Sequence, residues 1–352
     1  MVSFNSLELS FSIKNLSNLA QEMGSLKIIS GCGSDIDKAS EFKGKIKRRN
    51  IPISKYSDST IRTFRRGRLA QLGLIKKISK FLVKKDYIKF NLTNLQKNIS
   101  LLGVRSTNRR ILNPKFPFDF NTKEGAIIIP MVFHDGGITT RDLETFYCNL
   151  SFKLRRRYKE AIEGVIGKVP CKERRNLEVG YPKIVGLILT SLGLIPGKRQ
   201  INNPKFPLFV FNYPEDLVLE FLAQAIADDG WISNPKKGSG YISFNLTVDL
   251  TRFSKEKRQD IKKNKLLEYL PNNLLGNINL FKKLGCKVAG PHFGNEKLYV
   301  REGKEFRYTQ EWRFQVRGYK NFRYLAQNLK IPLKYKQEKL LNEDSKIRMR
   351  KI

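Results

Sequence analysis

The chain has 352 residues, 40% of them hydrophobic, enough for two or three domains with buried cores. Lys and Arg number 67 against 32 Asp and Glu, a formal net charge of +35, and self-repulsion of that size calls for a polyanionic partner, nucleic acid before a membrane surface. No apolar run approaches the roughly 18 to 20 residues of a membrane span. The N-terminus carries no secretory pattern, so an intracellular protein is expected, and two histidines with four scattered cysteines argue against zinc and against histidine-dependent hydrolysis.

Residues 1 to 50 alternate short helical stretches with glycine-rich turns and end in the basic run Lys43 to Arg49; no chemistry attaches to them. Ser57, Asp58 and Ser59 are good N-cap types before a basic helix predicted over Thr60 to Leu72 and stopped by Gly73. A basic linker and a strand over Asp86 to Thr93 follow, which together give the pattern of a winged helix-turn-helix. LAQLGLIKK at Leu69 to Lys77 also begins like the acidic helix described next, before lysines take over, as in a degenerate third repeat. Both readings of residues 1–120 stay open.

Ile128 to Gly137, IIPMVFHDGG, is an apolar helix closed by acid and glycine, and Phe221 to Trp231, FLAQAIADDGW, is a second and cleaner copy. Small side chains let two such helices approach closely, and carboxylates at the open end of the contact suit a hard cation. Pro130 would cost the first helix about 3 kcal/mol in its interior, and nothing if the helix begins near Ile128. His134 and His292 read as surface or packing residues and Trp231 as core.

Further repeats frame this pair. YIKFNLT at Tyr87 to Thr93 returns as YISFNLT at Tyr241 to Thr247, with YCNLS at Tyr147 to Ser151 a looser copy. Strict alternation makes each a half-buried strand: Ile242, Phe244 and Leu246 face one way and Tyr241, Ser243, Asn245 and Thr247 the other. Near Arg307 to Val316, Trp312, Phe314 and Val316 likewise oppose Arg313, Gln315 and Arg317. Apolar helices ending in Leu-Gly are predicted at Leu102-Gly103, Leu192-Gly193 and Leu284-Gly285. NPKFP at Asn113 to Pro117 recurs at Asn203 to Pro207, with NLKIP at Asn328 to Pro332. Position 204 minus 114 gives an offset of 90 for this unit, and 229 minus 135 gives 94 for the aspartates, as expected of one duplicated module. The copies run over residues 121–213 and 214–352.

With LAQAIADDG at Leu222 to Gly230, the lead-in Pro214-Glu215-Asp216-Leu217 and the ending IPLKYK at Ile331 to Lys336, the chain resembles the single-chain, two-motif LAGLIDADG homing endonucleases over about residues 120 to 340. The resemblance implies an α+β fold: two αββαββα halves related by a pseudo-twofold, motif helices packed along that axis, and sheets forming a DNA-binding saddle. It implies a Mg²⁺-dependent (or other divalent cation) site-specific endonuclease on double-stranded DNA, intron-encoded and monomeric. The metal ligands would be Asp135 and Asp229, and a lysine near each scissile phosphate would be Lys205 in the first half and Lys336 in the second. The polar strand faces would read base edges through Thr139, Arg141, Asn149, Ser151, Lys153, Ser243, Asn245, Thr247, Arg313, Gln315 and Arg317. The alternative on the same scaffold is an RNA maturase acting on its host intron, or a catalytically inactive sequence-specific DNA-binding protein. An organellar matrix and an archaeal cytoplasm fit equally.

Overall fold

The computed structural model describes residues 9–13, 70–71, 99–104, 109–174, 177–233, 240–264, 269–301 and 304–349. Two compact units make up the chain: Met1–Asp119 with Glu163–Pro170, and Phe120–Ile162 with Cys171–Ile352.

In the first unit, β1 (Leu9–Ile13), β2 (Ala70–Gln71), β3 (Ile99–Val104) and β4 (Arg110–Leu112) form an antiparallel sheet in the order β2-β1-β3-β4. Two expectations change here. Ala70–Gln71 pairs with β1 where a helix end was expected, and Leu102-Gly103 lies within β3 instead of closing a helix. An apolar run as short as Ile99–Val104 is ambiguous by periodicity, and pairing on both sides decides for strand. The other winged-helix elements and the YIKFNLT copy lie outside the described residues.

The second unit holds both copies of the module. The first reads α1 (Lys123–Phe133), β5 (Gly136–Ile138), β6 (Thr145–Cys148), α2 (Phe152–Ile166, whose last turn belongs to the first unit), β7 (Lys172–Arg174), β8 (Glu178–Tyr181) and α3 (Lys183–Ser191). After the short α4 (Arg199–Asn202) and a 3-10 turn at Leu208–Asn212, the second reads α5 (Glu215–Asp228), β9 (Gly230–Ile232), β10 (Tyr241–Asp249), α6 (Lys255–Asn264), α7 (Asn272–Lys283), β11 (Val288–Arg301), β12 (Lys304–Arg317), α8 (Tyr319–Asn328) and α9 (Lys334–Met349). The sheets have the same order, β5-β6-β8-β7 and β9-β10-β12-β11, so both halves are αββαββα, with two middle helices and an added α9 in the second.

α1 starts at Lys123, capped by Thr122, whose hydroxyl accepts from Gly125 N at 3.2 Å. Pro130 therefore sits in its interior, not in a first turn near Ile128. The helix survives because Gly125 to Phe133 are all buried, so tertiary packing, more than helical propensity, holds it. α5 carries Glu215 and Asp216 in its first turn, where the helix dipole favours carboxylates, and packs its small-residue stretch against α1.

The register of β10 on β12 sorts side chains as the alternation predicts, because directly paired residues share a face. Ile242 with Val316, Phe244 with Phe314 and Leu246 with Trp312 form the apolar side, and the rings of Phe244 and Phe314 stack at 5.2 Å. Tyr241 with Arg317, Ser243 with Gln315, Asn245 with Arg313 and Thr247 with Glu311 form the polar side. Trp231 pairs with Ser243 and so joins the polar side, 58% exposed with Lys339 Nζ 4.7 Å from its ring centroid; its neighbour Ile232, opposite Ile242, is the one that enters the core. The expectation of a core Trp231 fails on this parity. Gly193 and Gly285 have positive φ of 95° and 75° after α3 and α7, as the Leu-Gly caps require. Those two helices are not equivalent, however: α3 closes the first half and α7 lies in the middle of the second.

Candidate active site

Each motif helix ends in Asp-Gly, and the glycine opens the next strand so tightly that a side chain would collide with the helix just left. A Cβ on Gly136 would lie 2.7 Å from Met131 O and 2.4 Å from Phe146 O, and one on Gly230 would lie 2.6 Å from Ile226 Cα. This fold-back places Asp135 and Asp229 at matching positions, and both line one cleft of about 460 Å³. Asp135 Oδ2 accepts from Asn149 Nδ2 at 2.6 Å, and Asp229 Oδ2 from His134 Nδ1 at 2.7 Å.

The residues one step earlier cross between the halves. His134 reaches Asp229, and Asn277 Nδ2 stands 3.5 Å from its other ring nitrogen. Asp228 accepts from Tyr147 OH of β6 at 2.6 Å and from Gln224 Nε2 at 3.0 Å. Tyr147 pairs with Gly136 and Phe244 with Gly230, so these aromatic residues are register equivalents; His134 lies 6.0 Å from the Phe244 ring. His134, read from sequence as a surface or packing residue, is buried as packing requires but is also bonded into the site.

The carboxyl groups experience opposite environments. Burial, then the charge of Asp229, raises the pKa of Asp135 against the Asn149 hydrogen bond. Burial, then the charge of Asp135, pushes Asp228 well above the ordinary carboxylate range, and its Oδ2 is buried with no hydrogen-bond partner. For Asp229 burial is again the largest single influence and acts upward, but the hydrogen bond and charge of His134 with the charges of Arg199 and Lys336 outweigh it, and the pKa falls.

Lys336 does not enter the cleft. Its ammonium is buried and donates to Ile226 O, Ala227 O and Gly230 O at 2.7, 2.8 and 2.8 Å, capping the end of α5 from behind. Lys205 is exposed; its neighbours Asn203 and Pro204 line the cleft instead. Among the described residues, the Lys or Arg side chain that does line the cleft is Arg199, whose pKa burial lowers against the charges of Asp229, Asp135 and Asp228.

Of the residues expected to read bases from strand faces, Thr139, Arg141, Asn149 and Ser151 lie in the turns after β5 and β6 and Lys153 in α2, because those two strands end at Ile138 and Cys148. Arg141, Lys153, Asn245, Arg313 and Arg317 are exposed. Asn149 is held by Asp135, Thr139 Oγ1 accepts from Glu144 N, Ser151 Oγ accepts from Leu154 N in the first turn of α2, and Thr247 Oγ1 accepts from Gln200 Nε2. Ser243 and Gln315 are buried. Sequence reasoning missed Arg199, Tyr147 and Gln224. Tyr147 was read as heading a looser copy of YISFNLT, which aligns it with Tyr241, whereas the strand register aligns it with Phe244.

Among the described residues no three His, Cys, Asp or Glu side chains group as a metal cage. Asp135 and Asp229 supply two hard oxygen donors, which suits a cation such as Mg²⁺ that keeps several waters and takes substrate oxygens as well. The upward pull that the charge of Asp229 exerts on Asp135 is the excess negative charge a cation there would relieve.

The sequence matches no protein-family model and no curated protein. Among solved structures the chain is similar to the N-terminal LAGLIDADG domain of DUF199/WhiA, at 12% identity over 64% of this chain and 90% of that one, TM-score 0.31. It is also similar to mesophilic variants from the homing endonuclease I-DmoI, at 11% identity over 60% of this chain and 97% of that one, TM-score 0.32. At these scores the likeness carries no argument about function, and the architecture rests on the strand order and register of the two halves. No described helix is long and apolar enough to cross a membrane.

Proposed function

We propose that the protein is a site-specific, divalent-metal-dependent endonuclease of the homing type, cutting double-stranded DNA as a monomer. The observation that carries this reading is the placement of Asp135 and Asp229, at matching ends of two packed helices, on the wall of one cleft. Asp135 and Asp229 would hold Mg²⁺ or another hard divalent cation, which supplies an activated water and offsets charge on the phosphate. Asn149 and His134 each hold one oxygen of these carboxylates and fix their orientation. The exposed Arg141, Lys153, Arg313 and Arg317, within a chain of net charge +35, would hold and read the duplex.

The purified protein with Mg²⁺ should linearise a plasmid carrying its own insertion site, and Asp229→Asn should stop it. Cutting by Asp229→Asn at the wild-type rate would remove Asp229 from the metal site. One contact favours the second reading, a binding protein on this scaffold that acts as an RNA maturase or a non-cleaving DNA binder. His134 Nδ1 already holds Asp229 Oδ2 at 2.7 Å. Splicing of the host intron promoted by protein that leaves the plasmid intact would establish that reading instead.

A further inference from the structure

We infer that a single cation, Arg199, meets the phosphodiester in the cleft, and that Lys336 is a positioning residue that never touches it. This rests on the cleft between Asp135 and Asp229 being where nucleic acid binds.

An ammonium group has three N–H donors. Those of Lys336 are taken by three backbone carbonyls at the end of α5, so contact with a phosphate would require breaking buried hydrogen bonds. The guanidinium of Arg199 is the opposite case. It lines the cleft, the charges of three aspartates act on it, and it makes no hydrogen bond or ion pair with a described residue. Five N–H donors in a planar fork therefore stand beside two carboxylates, in a geometry that suits phosphate oxygens.

The backbone around Arg199 is pinned. Asn203, in the left-handed conformation at φ 40°, ends α4. Its side-chain oxygen accepts from Asn272 N at 2.8 Å, its backbone carbonyl from Asn272 Nδ2 at 2.8 Å, and its side-chain Nδ2 donates to Leu270 O at 3.0 Å. Gln200 bridges to β10 through Thr247 at 3.0 Å and to β12 through Arg307. A segment of the first half is thereby clamped to the second half, which holds one cation near both acidic centres. The arrangement differs from the one lysine per half expected from sequence.

The test uses the full chain and a labelled DNA duplex of roughly 30 base pairs without divalent metal, with affinity measured against salt. Each phosphate contact contributes about 0.9 to the slope of log affinity on log salt concentration. Arg199→Gln should reduce that slope by about one such contact, and Arg199→Lys should largely restore it. Lys336→Gln should leave the slope unchanged and lower the melting temperature, since a shorter amide with two N–H donors replaces an ammonium that serves three carbonyls. An unchanged slope in Arg199→Gln overturns the inference, as does an equal loss of slope in Lys336→Gln. If the wild type never cuts DNA while Arg199→Gln still loses slope, the endonuclease reading falls and the role of Arg199 stands.

Discussion

In the first half the residue before the cleft aspartate is His134, and in the second it is Asp228. Both cross to the opposite half, yet they meet different chemistry. His134 gives a hydrogen bond to a carboxylate that lines the cleft, and Asp228 takes one from a tyrosine below it. The same backbone position thus donates to a cleft carboxylate at one end of the helix pair and buries a carboxyl group at the other. The two halves share the strand order and the glycine fold-backs, while the side chains at the pseudo-twofold differ. Matching backbones fix where the carboxylates stand, and the crossing residues set their charge.

The sharpest way to break this comparison is to remove each acid in turn. On the proposed endonuclease reading, Asp135→Asn and Asp229→Asn should each lower DNA cleavage by roughly 100-fold or more in a plasmid assay, because each would supply a carboxylate ligand to the metal that activates the water. If only one does so, the halves are unequal in chemistry as well as in neighbours.

The glycines come next. Gly136→Ala and Gly230→Ala should each cost about 2–4 kcal/mol in chemical denaturation, since the new methyl meets helix backbone on both sides of the pseudo-twofold. A neutral result at either position would show that the two fold-backs are not equally tight.

Tyr147→Phe makes the first half resemble the second at this register position. It should cost about 1–3 kcal/mol by leaving Asp228 with Gln224 as its remaining donor. An unchanged denaturation midpoint would show that the crossing bond is not needed.

The smallest expected effect concerns pH. The pKa of Asp228 is raised on folding, so its contribution is full below the unfolded pKa and is lost as pH rises toward the folded one. Asp228→Asn should therefore melt a few degrees higher than wild type near neutral pH, with the gap closing toward about pH 4. Asp229 has the opposite sign: its lowered pKa gives a contribution present above the unfolded value and lost as pH falls through the folded one. Parallel melting curves for the Asp228→Asn and Asp229→Asn proteins across that range would erase the distinction between the two neighbours.

Much of this was legible in the residues. Strand alternation in YISFNLT and around Trp312 anticipated both faces of the second sheet, because period-two patterning depends only on local backbone geometry. The acidic helix ends were legible for a similar reason, since Asp-Gly after an apolar run marks its own turn. Trp231 was misplaced because a three-residue strand is too short to show its parity, and Leu102-Gly103 because a short apolar run has no period of its own. The sequence left Pro130 either inside the helix or in its first turn, because propensity is local whereas the burial that holds α1 is not.

By itself the sequence determined the charge, the duplicated module, the strand faces and the two aspartates, all properties of neighbouring residues and their spacing. Only the tertiary structure decided which side chains meet: His134 with Asp229 across 95 positions, Tyr147 with Asp228 across 81, Lys336 turned onto the end of α5 and Arg199 brought into the cleft. Such contacts depend on how helices and strands distant in the chain are stacked, and residue spacing carries no record of that.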